Sequence, residues 1–454
     1  MDSIVGLGSP PVVFAWAISL VLILGWTLVE LLRRRLVTIP NFVLLWVFFL
    51  PVLLQYPFTF SPINMLSVGI DSYERYRNYI DTVLVISFIG IGAFLVGLAL
   101  SGRRTRFSPT EAVAAGLERM AQPAWLIAFS GFILLLYLVL FVGGLFGAGG
   151  VRQAAQLSPM LRPFYNIAHT LLPLTTALTL LVGFQGRRRG VLLLGLTNLA
   201  LGLLTGARSV VIGGVLFYAL AVLGYKSLRR SLSVEGVLQV IPLGALLLLL
   251  ALYIGDVREG QYNLLVTIAE TGAKLFYGNN FSDLRDFAWV RSYWDGSWYS
   301  GLTQLAGLLA FLPTVLVPFR AEWNWGVVTT TLVGLDPRVT PGLRTTIFGE
   351  AYFNFGLVGV ILAGLFYGYV AARAQRWASH AANSLPPKAA RIKVLAAFVT
   401  LSLAANFLNT AGFFGFYLTV LVLAGVYLAD AVLRSIRRSD ASLPTSHPLA
   451  HDPG

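Results

Sequence analysis

Not one cysteine occurs in the 454 residues of this chain. Disulfides, iron–sulfur clusters and thiol catalysis are thereby excluded, and the redox compartment leaves no trace in the sequence. Charge is the second scarcity: Asp, Glu, Lys and Arg make up 12% of the chain against 57% apolar residues, and the mean hydropathy is +0.75. A soluble protein of that composition would have too little polar surface to meet water. Also missing are a Walker-type loop for nucleotide phosphates and a His/Cys/Asp spacing suited to a metal. The chain of buried acids and lysines that a proton-coupled carrier needs is missing too. Neither a metal nor an organic cofactor is expected.

What is there instead is hydrophobic run after hydrophobic run, each long enough as a helix to cross about 30 Å of hydrocarbon. The first, Val12–Leu32, reads as a span and not a secretory signal, since no basic stretch precedes it and it ends in Arg33-Arg34-Arg35. Spans are expected near 11–32, 41–57, 80–100, 123–142, 163–184, 191–205, 210–225, 237–254, 350–372, 394–408 and 414–433. The expected fold is therefore all-α: a polytopic membrane bundle of about eleven helices forming a single domain over residues 1–433. Residues 255–346 form one large connection, and 434–454 a polar, disordered tail.

The net charge of +13 could suggest nucleic acid, but its placement points to a lipid bilayer as the partner. Of the 33 basic residues, 21 fall in short connections on one side of this threading, accompanied by seven acidic ones. The other side carries 12 basic and 13 acidic residues. The positive-inside rule then puts the N-terminus outside, the C-terminus in the cytoplasm and the 255–346 connection outside. To keep Arg187–Arg189 and Lys226 on one side, the chain must turn back between 191 and 225. The only polar, glycine-bearing place is Thr205-Gly206-Ala207-Arg208-Ser209. Within the large connection, Gly301–Pro318 is apolar but broken by Pro313, and reads as a re-entrant or interfacial segment.

Arg208 thus sits at the outer ends of two apolar helices. A cation at membrane depth costs about 2.5–3.5 kcal/mol, so it is there to be paired, to function, or to snorkel to the interface. Glu350, Tyr352 and Asn354 occupy the first turns of a later span, with Arg344 just before it. The helix dipole alone would favour a carboxylate there. Glu350 and Asn354 nonetheless share one face, which suggests a cavity at the mouth of that helix. The outer connection adds Asp256, Arg258, Glu259, Lys274, Asp283, Arg285, Asp286, Arg291 and Asp295, most of them ordinary solvated charges. Its aromatics, Trp298 among them, could stack on sugar rings or form an interfacial belt. His169 is the one histidine near the outer face; His380, His447 and His451 lie on the other side.

Outer-face arginines at membrane depth suit a diphosphate at headgroup level. Three stretches resemble the O-antigen polymerases, the Wzy-type oligosaccharide repeat unit polymerases of bacterial envelopes. They are Leu204-Thr-Gly-Ala-Arg208-Ser209, then Gly296-Ser-Trp-Tyr-Ser-Gly-Leu with Phe311-Leu-Pro313, and Ile347-Phe-Gly-Glu350-Ala-Tyr352-Phe-Asn354-Phe-Gly356. The resemblance spans roughly residues 200–370. It departs from the family where basic residues follow the proline, the chain here reading Pro313-Thr314 and Phe319-Arg320-Ala321.

The resemblance implies a metal-independent glycosyltransferase of the GT-C type in the bacterial inner membrane, its site facing outward. Such an enzyme takes undecaprenyl-diphosphate-linked oligosaccharide as substrate and can work with a chain-length regulator protein. Carried onto this chain, it marks Arg208 and Glu350 as the best matched polar positions, with Tyr352 and Asn354 beside them. On that basis Glu350 is the first choice of catalytic base and Glu259 the second. Arg208, helped by one or more of Arg258, Arg291 and Arg344, would hold the diphosphate. Tyr352, Asn354, Trp298 and His169 would line the substrate. The rivals are an O-antigen ligase, which would want a histidine in the outer connection where residues 255–346 have none, and a lipid-linked-sugar flippase.

Overall fold

The computed structural model describes residues 8–101, 109–142, 160–186, 188–204, 208–229, 263–277, 281–337, 340 and 342–441, with isolated positions between 245 and 256. Every regular element among them is helical. In chain order the main helices are α1 (Pro10–Leu32), α2 (Ile39–Thr59), α3 (Ile70–Arg77), α4 (Ile80–Leu100), α5 (Pro109–Met120), α6 (Pro123–Val142), α7 (Arg162–Gly186), α8 (Arg189–Leu204) and α9 (Arg208–Leu228). They continue with α10 (Leu264–Phe276), α11 (Asp283–Tyr293), α12 (Leu302–Leu308), α13 (Trp325–Leu332), α14 (Thr346–Ser384), α15 (Pro387–Leu408) and α16 (Phe413–Ala441).

Eight of these are long and apolar enough to cross a membrane: α1, α2, α4, α6, α7, α14, α15 and α16. Two shorter apolar helices lie within α8 and α9. The chain is therefore an all-α, polytopic membrane protein. The expected span over 237–254 falls almost wholly outside the described residues. Helix α16 runs on to Ala441, two turns past the point where a disordered tail was expected, because Arg434 can still reach Asp430 one turn back at 3.1 Å.

The centre of the bundle is α2, α4, α14 and α15, whose inward side chains form one continuous apolar core around Phe48, Phe94, Phe348 and Tyr367. Helix α1 leans on α2 with its apolar side chains turned outward, as lipid requires and water forbids. The middle of α2, Val43–Leu54, is wound as a π-helix around Pro51. A proline removes an N–H and crowds the preceding turn, and the wider winding relieves that crowding. Small residues let α4 and α14 approach closely, with Gly97 facing Leu365 and Gly364 facing Gly90.

The basic connections meet at one end. Val37 N–H donates to Ser227 Oγ at 3.1 Å, and Ile39 N–H to Gln375 Oε1 at 2.9 Å. Arg376 donates to the Ser101 carbonyl, Lys393 lies 3.4 Å from Glu118, and Arg119 lies 3.1 Å from Asp430. Connections separated by hundreds of residues thus share the face that charge counting grouped together. Helix α9 starts at Arg208 and ends beside this face at Leu228, about 30 Å away at 1.5 Å per residue. Arg208 therefore opens its helix at the opposite end, the end at which α14 begins.

Candidate functional site

Helix α14 breaks at Gly356, whose φ of 62° and ψ of −151° belong to a region essentially reserved for glycine. A break there strands the carbonyls of the preceding turn, which must find other donors. They find them in residues 299 and 300: Tyr299 N–H donates to Phe353 O at 3.1 Å, and Ser300 N–H to Asn354 O at 3.2 Å. Gly301 N–H donates to Asn354 Oδ1 at 3.0 Å. The Trp298 ring covers the break, 3.0 Å from where a Cβ on Gly356 would sit. Two motif stretches some fifty residues apart in sequence thus interlock.

Around that junction stands an aromatic wall. Trp298 lies 4.9 Å from Trp294 and 5.7 Å from Tyr352, centroid to centroid, with Trp294 and Tyr352 5.8 Å apart. Tyr352 is buried, whereas Trp298 remains 50% exposed and offers an edge-tilted ring to whatever approaches.

Glu350 is 1% exposed. Its carboxylate accepts from Thr303 Oγ1 at 2.7 Å, Thr410 N–H at 2.7 Å and Thr410 Oγ1 at 2.5 Å. Asn354 Nδ2 donates to Thr303 Oγ1 at 2.7 Å and to the Glu350 carbonyl at 2.8 Å. The polar face shared by Glu350 and Asn354 is real, but threonine hydroxyls and a backbone N–H fill the cavity expected beside it. Those contacts tie together α12, α14 and the turn between α15 and α16. The apolar segment that follows α12 stays outside, with Phe311, Val315 and Leu316 exposed. At seven residues α12 is too short to span a membrane. Arg320 Nη1 donates to the Leu312 carbonyl and fastens that segment's end.

The cations lie on the other side of the aromatic wall. The Arg291 guanidinium stacks 5.2 Å from the Tyr79 ring and 4.9 Å from Trp294. Its buried Nε donates to no acceptor among the described residues, and neither does the Trp289 indole N–H. Arg75 stacks 4.4 Å over Tyr293, whose hydroxyl meets Ser72 Oγ at 3.2 Å. A buried charged donor lacking an acceptor is a standing demand for an anion or water.

Beneath them, Asp286 is the hub of a buried ion pair. Arg285 donates to its Oδ1 through Nε and Nη2 at 3.0 and 2.9 Å; Ser282 Oγ donates to Oδ2 at 2.8 Å. The Arg344 N–H reaches Oδ2 at 3.4 Å, which sets Arg344 beside α11. Asp283, partly buried at the first turn of α11, is pushed up to about 6. Burial is the main cause; Arg344 opposes it and Asp286 reinforces it.

Of the residues singled out from sequence, Glu350, Tyr352, Asn354, Trp298, Arg291 and Arg344 are thus gathered at one end. Arg208 starts α9 at that end, though its side chain lies outside the described residues, as do Arg258 and Glu259 entirely. His169 sits in α7, stacked on Tyr165 at 4.8 Å, along the wall formed with α6 and α16. Tyr79, Thr303 and Thr410 had not been picked out, and Asp283 had been named only among the mostly solvated charges of the 255–346 connection. Thr410 had one signal, a polar Asn409-Thr410 pair between two apolar runs. Nothing set Asp283 apart from the neighbouring charges, since its burial and its nearness to Arg344 come from contacts remote in sequence. Among the described residues no three His, Cys, Asp or Glu side chains converge on a metal site. No family model matches the chain, and comparison with curated proteins and with solved structures likewise returns no match.

Proposed function

We propose that this protein is a membrane glycosyltransferase that moves a growing glycan from a polyprenyl diphosphate onto the next lipid-linked repeat unit, at the end opposite the basic connections. That end faces outward from the bacterial inner membrane, where nucleotide sugars and ATP are absent and a donor must arrive already activated. The observation that carries the reading is Arg291, a half-buried guanidinium whose enclosed Nε has no acceptor among the described residues, framed by Tyr79 and Trp294 beside the junction of the motif stretches.

In this reading Arg291, Arg344 and Arg208 hold the diphosphate and stabilise the charge that grows as the anomeric C–O bond to phosphate breaks. The exposed ring of Trp298 stacks on a sugar. Asp283 takes the proton of the acceptor hydroxyl as its oxygen bonds to the anomeric carbon; a carboxyl held near 6 suits that task. Glu350, enclosed by three donors, is a positioning residue that fixes α12 and Asn354, and the base role moves from it to Asp283.

Deletion of the gene in its host, followed by electrophoresis of surface glycans, tests the proposal. Loss of long chains with single repeats still attached is the expected result. Free polymer accumulating on the lipid carrier would mean a ligase, and repeats trapped inside the cell a flippase; either would overturn the proposal.

A further inference from the structure

A cavity of about 530 Å³ opens at the basic end of the bundle, bounded by Trp26 and Glu30 of α1, Arg35, Asn41, Arg229 and Gln375. Its size falls in the range of small-ligand sites, roughly 300–1,000 Å³. It lies at the far end of the spans from Arg291 and Glu350 and owes nothing to the function proposed for them.

Its neutral walls are committed to structure, while its charges are only partly so. Asn41 spends its groups on the Trp26 indole and on the carbonyls of Arg35 and Leu36. Gln375 bonds Ile39 N–H and Ser379 Oγ. Arg229 gives one donor to the Tyr225 hydroxyl, at 2.8 Å, and has others to spare. Glu30 is the exception on α1, an otherwise apolar helix whose other side chains face outward or lie half-buried; it alone is buried, at 7% exposure. Its one salt-bridge partner among the described residues, Arg33, is 3.5 Å away and largely exposed, a weak pairing for a buried carboxylate. Two guanidiniums and one carboxylate around a cavity match a ligand bearing a phosphate and, a few ångströms on, a hydroxyl or ammonium.

The mouth indicates the source of that ligand. Trp26 is 48% exposed, its N–H fixed inward on Asn41, in the attitude of an aromatic at a bilayer interface. Leu228 completes the lip. A soluble anion would need no such apolar rim, whereas the glycerol and acyl stems of a lipid would lie on it.

We propose that this cavity binds the headgroup of a phosphodiester lipid, its phosphate on Arg35 and Arg229 and its hydroxyl or amino end on Glu30. Native mass spectrometry of the full chain, extracted in mild detergent and offered phosphatidylglycerol, phosphatidylethanolamine and phosphatidylcholine, tests it. The wild type should retain the first two over the third, whose quaternary ammonium has no N–H for Glu30. Arg35→Gln with Arg229→Gln should cut retention about tenfold. Glu30→Gln should erase the preference among headgroups while keeping the adduct.

Ser379→Trp fills the cavity without touching a charge and should also abolish retention, which covers the case in which the double variant fails to fold. Arg434→Gln, basic at the same end but outside this cavity, should behave as wild type. Equal retention in the wild type, the double variant and Ser379→Trp would overturn the proposal. So would displacement of the lipid by soluble glycerol phosphate at matched concentration, which would make the ligand a free anion.

Discussion

Gly368 of α14 lies against the carbonyl of Phe94 in α4 so closely that a methyl group added to it would overlap the oxygen. The obstacle is backbone and cannot rotate away. Gly368→Ala should therefore cost about 3 kcal/mol or more, at the upper end of overpacking effects, and lower the melting temperature in detergent sharply. Gly92, on the open face of α4, has nothing within 4 Å of the place an added methyl group would take. Gly92→Ala should be neutral or stabilise by up to about 1 kcal/mol, the helix-propensity difference. Equal melting of the two variants would show that α4 and α14 are not in contact through this seam.

At Gly356 the backbone itself is the constraint. Gly356→Ala would put a non-glycine residue at φ 62°, ψ −151° and press a methyl on Trp298. A cost of about 1–3 kcal/mol is expected from the dihedrals alone, relieved by straightening α14. Straightening withdraws the Phe353 and Asn354 carbonyls from residues 299 and 300. Polymer should be lost while the protein remains in the membrane, and Trp298 fluorescence should shift. Normal chain length in this variant would argue against the interlock being needed.

Arg291 separates charge from geometry. Arg291→Lys keeps the cation but forfeits the planar stack between Tyr79 and Trp294 and the fork that matches phosphate. Activity on lipid-linked repeat units should fall about tenfold for lysine, and below detection for Arg291→Gln. Full activity in Arg291→Gln would remove this arginine from the site.

The titration of Asp283 predicts two pH effects of opposite sense. As a base it works when ionised, so the rate should rise with pH through about 6 and then level off. Stability should run the other way. Because the folded carboxyl binds its proton more tightly than the unfolded one, stability grows as pH falls from about 6 towards the ordinary value of 3.8. Asp283→Asn should flatten that dependence of the melting temperature and abolish polymer. An unchanged rate profile in the variant would return the base role to another carboxylate.

Glu350→Ala leaves two threonine hydroxyls and a buried N–H without their acceptor, each costing about 1–3 kcal/mol. Glu350→Gln can still accept from Thr410 N–H and donate to a hydroxyl. The alanine variant should melt far below wild type and the glutamine variant close to it, with polymer retained by glutamine. Loss of polymer in a well-folded Glu350→Gln would restore the carboxylate as the base.

Eight of the expected spans were legible because hydropathy is a one-dimensional property: a run such as Ile80–Leu100 carries its own length and composition. The grouping of Arg33–Arg35, Lys226 and Arg373–Lys393 at one end was legible too, since the threading counted their charges on the same side. Partnerships across the bundle were not. Glu350 stood out as a polar residue in an apolar helix, but its partner Thr410 lies 60 residues away. Nothing local distinguishes that threonine from any other near a helix end. The Gly356 break was invisible for a similar reason, since glycine is common in membrane helices that never bend.

The turn that carries Thr410 also sets an order of events. Until α15 and α16 are in place, Glu350 has no Thr410 to bond it, and Thr303 is its one donor among the described residues. The α15–α16 hairpin therefore completes the site: without it the chain would hold Arg291, Trp294, Trp298 and Tyr352, with α12 still tied to α14 through Thr303, yet leave the Glu350 carboxylate short of two of its three donors.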